Sequence, residues 1–176
     1  MFSAVKNWLS SRANPIGVDL GSDSVKLAQV ARIDNEWRLV AAASADIPSH
    51  VRSDLPARLA FLTSCVRELL ASGGFQGRQA IMALPAASMF IQHLRLPKLD
   101  DESTKKALLW EARGKIPIDP AYALLRHHVA GEVFADQETK NEIILMAAGR
   151  ELVQQYLDMA GRARLDVTSM NVEPLT

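Results

Sequence analysis

The stretch GVDLGSDSVKLAQV, residues 17–30, combines residue types that can bind a phosphate group. Gly21 allows a tight turn and a close approach of the backbone to a ligand. The backbone amides of a turn at this point can converge on an anion. Ser22 and Ser24 add two hydroxyl donors. The spacing therefore predicts either an anion-binding turn or an ordinary turn made of glycine, serine and aspartate.

Charged side chains lie on both sides of this turn. Because strand side chains alternate between two faces, Lys26 shares a face with Ser24 and can point at the same anion. Asp19 follows apolar residues, and a carboxylate beside a phosphate can hold a hydrated Mg²⁺. Asp23 adds negative charge, so we expect it to point outward or to form an Asx-turn. In the ordinary alternative, Lys26 is only a solvent-exposed lysine.

The elements that position this turn are predicted to form a β-β-β-α-β unit. An antiparallel meander of three strands is predicted at residues 16–20, 24–31 and 37–43. A helix is predicted from about Leu55 to Ala71, with Ser53 or Asp54 as its N-cap. Residues 79–85 have the composition of a buried strand, which we expect to run parallel beside the first strand.

A second module is predicted after Pro85, with the order strand, helix, strand, strand, helix. These elements are predicted within residues 89–97, 100–114, 123–133, 141–149 and 150–163. Acidic residues open the first of these helices and Gly114 is placed to end it. The segment FADQETK, residues 134–140, is predicted as a polar loop, and a last strand is predicted after residue 164. The module is therefore expected to be a small α+β subdomain.

The composition excludes several classes of protein. Lys plus Arg and Asp plus Glu are each 20, so the net charge is zero and we expect no nucleic-acid partner. The single cysteine, Cys65, excludes an internal disulfide, and we expect it to be a buried small side chain. No apolar run reaches transmembrane length, and the start of the chain lacks the apolar region of a signal peptide. A reducing cytoplasm is the simplest expected location.

The first fifteen residues are interpreted as an amphipathic N-terminal leader. Phe2, Val5 and Leu9 recur at helical spacing, with Lys6 and Arg12 supplying charge. Such a leader would lie on a membrane or a partner, or would pack on its own domain.

Other polar clusters are better explained as structure than as sites. His127 and His128 are neighbours on a predicted strand, so they face opposite sides and do not share a metal. Asp100 and Asp101 are expected to be charges at a helix N-terminus. Trp110 is expected to pack against its own module. The arginines that are expected to form a solvated face are Arg150, Arg162 and Arg164.

The sequence IGVDLGSDSVKLAQV resembles the phosphate-1 loop of the actin-like ATPase superfamily, which includes actin and the sugar kinases. Three later motifs, MALP, LRLPKLDDESTKKALLWEARGKIPIDP and MNVEP, follow in the order that is typical of the PilM family of type IV pilus assembly. The resemblance covers nearly the whole chain. It implies an α/β fold: the first half of an actin-like ATPase (ribonuclease H-like) fold with an inserted small α+β subdomain.

The resemblance also implies a domain organisation and a site. Residues 16–86 with 164–176 would form an incomplete subdomain 1A, and residues 87–163 would form the inserted subdomain 1C. ATP or ADP with Mg²⁺ is the implied ligand, and Asp19 would lie near the Mg²⁺ and hold it through water. The residues implied to bind its phosphates are Asp19, Gly21, Ser22, Asp23, Ser24 and Lys26. The family's second half carries a phosphate-2 loop and an adenosine motif that do not occur in these residues. We therefore expect weak or absent binding of ATP, and no hydrolysis, by this chain alone.

The function implied by the resemblance is that of a nucleotide-binding scaffold or adaptor of type IV pilus or related secretion assembly, in the cytoplasm at the inner face of the bacterial inner membrane. It would dock the cytoplasmic tail of a PilN-like inner-membrane protein in a groove between 1A and 1C, and would reach the membrane through that partner. Self-association through 1C is a further expectation. The alternatives are an ATPase or phosphotransferase of the same superfamily, a membrane adaptor similar to the cell-division protein FtsA, and a binding subdomain without a nucleotide.

Overall fold

A computed structural model of the protein describes residues 13–172. The described chain forms two compact units, one of residues 13–86 with 155–172 and one of residues 87–154. The leader predicted over residues 1–15 lies outside the described residues except for its last three. No helix within residues 13–172 is long and apolar enough to span a bilayer.

The first unit is built on a five-stranded sheet in the order β3-β2-β1-β4-β8. Its strands are β1 (Ile16–Leu20), β2 (Ser24–Ile33), β3 (Glu36–Asp46), β4 (Gln79–Leu84) and β8 (Asp166–Val172). Strands β1 to β3 form the predicted antiparallel meander, and β4 and β8 extend the sheet in parallel to β1. The expectation that residues 79–85 return parallel beside the first strand is confirmed.

Helices α1 (Ser49–Arg52) and α2 (Leu55–Ser72) follow the meander. The Asp54 carboxylate accepts a hydrogen bond of 3.0 Å from the Ala57 amide, so Asp54 is the N-cap among the two predicted candidates. One face of α2 is buried and the helix contacts β2 and β3. This burial removes apolar surface from water, at about 25 cal/mol per Å², and fixes the position of the first turn of α2 against the sheet.

The second unit contains a three-stranded antiparallel sheet in the order β5-β7-β6. Its elements are β5 (Phe90–Pro97), α3 (Asp101–Ala112), β6 (Ala123–Ala135), β7 (Glu138–Gly149) and the start of α4 (Arg150–Arg162). Leu108 and Ala112 of α3 join an apolar core with side chains of all three strands. The predicted order of strand, helix, strand, strand and helix is confirmed.

Two predicted boundaries differ from the structure. The loop expected at residues 134–140 is instead a two-residue turn at Asp136 and Gln137, whose φ values are 50° and 68°. A turn with positive φ at both positions matches the twist of the flanking strands, so both strands extend into the predicted loop. The two units divide at residue 154, inside α4, whereas the sequence interpretation returned to the first unit at residue 164. The identity of the units with subdomains 1A and 1C stays a prediction.

Candidate functional site

The predicted phosphate-binding residues lie in and beside the hairpin that joins β1 to β2. Asp19 and Lys26 are direct partners in the antiparallel register. Their carboxylate oxygen and ammonium nitrogen are 3.3 Å apart, with the Asp19 side chain 38% exposed and the Lys26 side chain 61% exposed. Between them, Ser22 and Asp23 are exposed, Ser24 is half-buried and Gly21 is buried. The structure therefore brings all six predicted residues together at one accessible hairpin.

Arg58, in the first turn of α2, holds this hairpin from the buried side. Its side chain is only 5% exposed. One terminal nitrogen donates to the Ser22 carbonyl at 3.1 Å, and the other to the Gly21 carbonyl at 2.6 Å and the Leu20 carbonyl at 3.4 Å. A planar guanidinium suits this task because its donors are spread in a fixed fork. The hairpin backbone is thus fixed by one buried side chain from a distant segment.

The carbonyls held by Arg58 determine where the adjacent amides point. In a planar trans peptide the C=O and the following N–H point in opposite directions. Because the Gly21 and Ser22 carbonyls face Arg58, the Ser22 and Asp23 amides point away from it, toward solvent. Neither amide donates to any acceptor among residues 13–172, and the Ser22 and Ser24 hydroxyls are also without a partner there. The exposed side of the hairpin therefore presents two amides and two hydroxyls as available donors.

Gly21 leaves little space for a side chain at this hairpin. A Cβ added at Gly21 would lie 3.2 Å from the Ser24 carbonyl oxygen, a tighter contact than side chains normally make. Its φ is outside the left-handed region, so an alanine there would not strain the backbone. Its methyl group would instead be crowded by a neighbouring atom. The sequence predicted a close approach of the Gly21 backbone to a ligand. In the structure the close approach is between Gly21 and the Ser24 carbonyl of the same hairpin.

The exposed Asp23 side chain pairs with Arg52 of α1. The Asp23 carboxylate and an Arg52 terminal nitrogen are 2.6 Å apart. Arg52 Nε also donates to the Ile47 carbonyl at 2.7 Å, and the Ile47 amide donates to the Asp23 carbonyl at 2.7 Å. The ion pair offsets the negative charge that Asp23 would otherwise bring close to a phosphate.

The remaining polar candidates take structural roles. Burial, with a smaller effect from the Glu68 charge, raises the pKa of the Cys65 thiol, so it is predominantly the unreactive thiol form at neutral pH. Asp100 caps α3 by accepting from the Glu102 and Ser103 amides, and these hydrogen bonds, led by those from Ser103, lower its pKa. The prediction that Trp110 packs against its module is wrong, because Trp110 is 71% exposed with Arg113 over its ring.

Sequence reasoning missed both arginines that shape the hairpin. Arg58 comes three positions after Leu55 and four before Leu62, so helical spacing puts it on the apolar face of α2, where a charged side chain needs a specific partner. Arg52 follows the buried Val51 in a short helix and gives no comparable signal.

Residues 17–176 match the family described as type IV pilus assembly protein PilM. No curated protein matches the chain.

Solved structures share the fold. A structure of the PilM-PilN type IV pilus biogenesis complex has a TM-score of 0.76 at 24% identity, over 91% of this chain and 47% of that one. The cytoplasmic domain of EpsL, an inner-membrane component of the type II secretion system of Vibrio cholerae, has a TM-score of 0.55 at 12% identity, over 90% of this chain and 57% of that one. A Bacteroides thetaiotaomicron protein with an actin-like ATPase fold and unknown function has a TM-score of 0.40 at 7% identity, over 89% of this chain and 51% of that one. The chain spans about half the length of these proteins, and the predicted α/β fold is confirmed as the fold that it shares with the PilM and EpsL structures.

Proposed function

Because this chain belongs to the family of the type IV pilus assembly protein PilM, we propose that it is a nucleotide-binding adaptor of pilus assembly. The adaptor docks the cytoplasmic tail of a PilN-like protein and so lies at the inner face of the inner membrane. The observation that carries this proposal is the family match over residues 17–176. The similar fold of a PilM solved in complex with PilN supports the choice of partner.

The nucleotide part of the proposal rests on the β1–β2 hairpin. Two amides and two hydroxyls on its exposed side are available as donors, and Lys26 adds a cation on the same strand face as Ser24. These donors suit the phosphates of ATP or ADP, which accept several hydrogen bonds at once. An exposed ion pair such as that of Lys26 with Asp19 is weak, so a phosphate can take over the ammonium without a large loss.

Asp19 fits a magnesium ion that is held mainly by water and phosphate. No group of three or more His, Cys, Asp and Glu side chains in the described part of the chain could hold a metal ion. Mg²⁺ at phosphate sites commonly keeps several waters and takes one or two carboxylates, and a single accessible carboxylate matches that pattern. Bound there, Mg²⁺ would offset phosphate charge, while the chain's own contribution is the Asp19 oxygen.

A peptide-binding experiment tests the adaptor role. The probe is a synthetic peptide with the sequence of the cytoplasmic N-terminus of the PilN-like protein encoded in the same genome, with a scrambled peptide of identical composition as control. Calorimetry should show saturable binding of the native peptide, and of it alone. No heat with either peptide, or equal binding of both, would count against the proposal.

A further inference from the structure

A second cationic feature lies at the end of the five-stranded sheet where β4 and β8 begin, opposite the end that carries the hairpin. A pocket of about 430 Å³ is lined there by Arg67 of α2, Arg78 before β4 and Arg164 before β8. The hairpin follows the carboxyl end of β1, whereas Arg78 and Arg164 precede the amino ends of strands parallel to β1. The pocket is therefore separate from the candidate nucleotide site.

The three arginines bring positive charge that their surroundings only partly offset. None of them makes an ion pair with any residue between 13 and 172, and Glu68 is the one acidic residue that lines the pocket. The carboxyl ends of α2 and α4 add about half a negative charge each. With Glu68 these offset about two of the three positive charges. A net positive charge remains, on side chains whose planar forks suit tetrahedral oxyanions.

Arg164 lies in a backbone conformation that arginine rarely adopts. The Arg164 amide donates to the Gly161 carbonyl at 3.0 Å and the Leu165 amide to the Ala160 carbonyl at 2.9 Å. These two bonds form a Schellman motif that ends α4, with Arg164 at C′. Glycine is usual at C′ because φ is positive there, and at Arg164 φ is 66°. Helix termination alone would therefore favour glycine, whereas the arginine adds a charge to the pocket.

We propose that this pocket binds a phosphate group, and that Arg164 occupies the strained C′ position in order to contact it. The same chemistry is offered by a free phosphorylated molecule and by the headgroup of an anionic lipid. Each arginine supplies a charge-assisted donor to the oxygens, and Arg164 and Arg78 hold two sides of the group from the amino ends of β8 and β4.

Arg164→Gly separates binding from folding. Glycine removes the guanidinium and relieves the strain at positive φ, so the variant should melt roughly 2–4 °C higher than the wild type. Inorganic phosphate is the first probe, and its binding to the wild type and to Arg164→Gly is measured by NMR. Phosphate should shift the amide signals of residues 64–78 and 163–166, separately from any shifts at the hairpin residues 19–26. Arg164→Gly should weaken the binding measured at residues 64–78 and 163–166 at least fivefold.

Arg38→Ala is the matched control, because Arg38 is an exposed arginine of the same unit outside this pocket. It should leave the affinity at residues 64–78 and 163–166 within twofold of the wild type. Equal weakening by Arg38→Ala and Arg164→Gly would reduce the effect to net charge and overturn the proposal. The proposal also fails if phosphate shifts no amide of the pocket and vesicles do not bind.

Co-sedimentation with vesicles distinguishes the two sources of phosphate. The vesicles are phosphatidylcholine alone and phosphatidylcholine with phosphatidylglycerol. Binding only to the anionic vesicles, lost in Arg164→Gly and kept in Arg38→Ala, supports the pocket with a lipid headgroup as the ligand. Saturable binding of inorganic phosphate without vesicle binding supports the pocket with a soluble phosphorylated ligand.

Discussion

Asp19 and Lys26 face each other across β1 and β2, and their charged groups are 3.3 Å apart on the accessible face of the sheet. An ion pair exposed to this extent contributes less than about 1 kcal/mol to folding. The pair keeps both charges beside the hairpin, where, under the proposed function, a phosphate and Mg²⁺ would replace the contact between them. Its expected role is therefore in binding, and substitutions should separate binding from stability.

Lys26→Ala should weaken the binding of Mg-ATP about tenfold, because the variant loses the cation that faces the phosphates. The melting temperature should change by no more than about 2 °C, since only an exposed ion pair is lost. NMR titration of the purified protein with Mg-ATP measures the affinity even when binding is weak. Lys98→Ala, which removes a comparably exposed ion pair with Glu132, is the control and should bind like the wild type. An unchanged affinity in Lys26→Ala would exclude the lysine from the site.

Arg58→Ala should destabilise the protein by about 3 kcal/mol, because three hairpin carbonyls lose their donors and a buried space opens. Hydrogen exchange of the Ile47 amide, which donates to the Asp23 carbonyl of the hairpin, should accelerate at the same time. Urea unfolding and exchange followed by NMR measure the two effects. Arg58→Lys should recover only part of the stability, since one ammonium cannot replace the guanidinium fork. Full recovery with lysine would show that charge alone holds the hairpin.

Gly21→Ala should lower stability by about 1 kcal/mol and shift the hairpin, because the added methyl lies 3.2 Å from the Ser24 carbonyl oxygen. Gly17→Ala is the matched control on the same strand, where the nearest atom, the Ala28 carbonyl oxygen, is 3.6 Å away. That contact is ordinary, so Gly17→Ala should be near neutral in urea unfolding. Equal effects of the two substitutions would contradict a specific close approach at Gly21.

Asp100 should make the stability of the protein depend on acid pH. Hydrogen bonds from Ser103 and Glu102 lower its pKa in the folded state below 3.8. A carboxyl group whose pKa is lowered by folding stabilises the fold at pH values above its pKa in the unfolded state. This stabilisation is lost as the pH falls through its pKa in the folded state. The melting temperature of the wild type should exceed that of Asp100→Asn at about pH 6, and the difference should shrink below about pH 4. A difference that stays constant over this range would show that the cap acts without its charge.

The sequence by itself determined the local elements and the hairpin. Alternating apolar residues specified β1 and the start of β2, and Ser53 or Asp54 marked the start of α2, because strand alternation and helix capping depend on residues a few positions apart. The six residues of the candidate site lie at the end of β1, in the turn and at the start of β2, so their proximity followed from the hairpin alone.

Only the tertiary structure decided which distant side chains complete these local features. Arg58 reaches the Ser22 carbonyl 36 positions earlier, and the buried Gln29 donates to the Gln76 carbonyl 47 positions later. Arg164 shares a pocket with Arg67 and Arg78 only because the end of α2 and the starts of β4 and β8 meet at one end of the sheet. Such contacts depend on how whole elements pack, and local sequence periodicity carries no information about that packing.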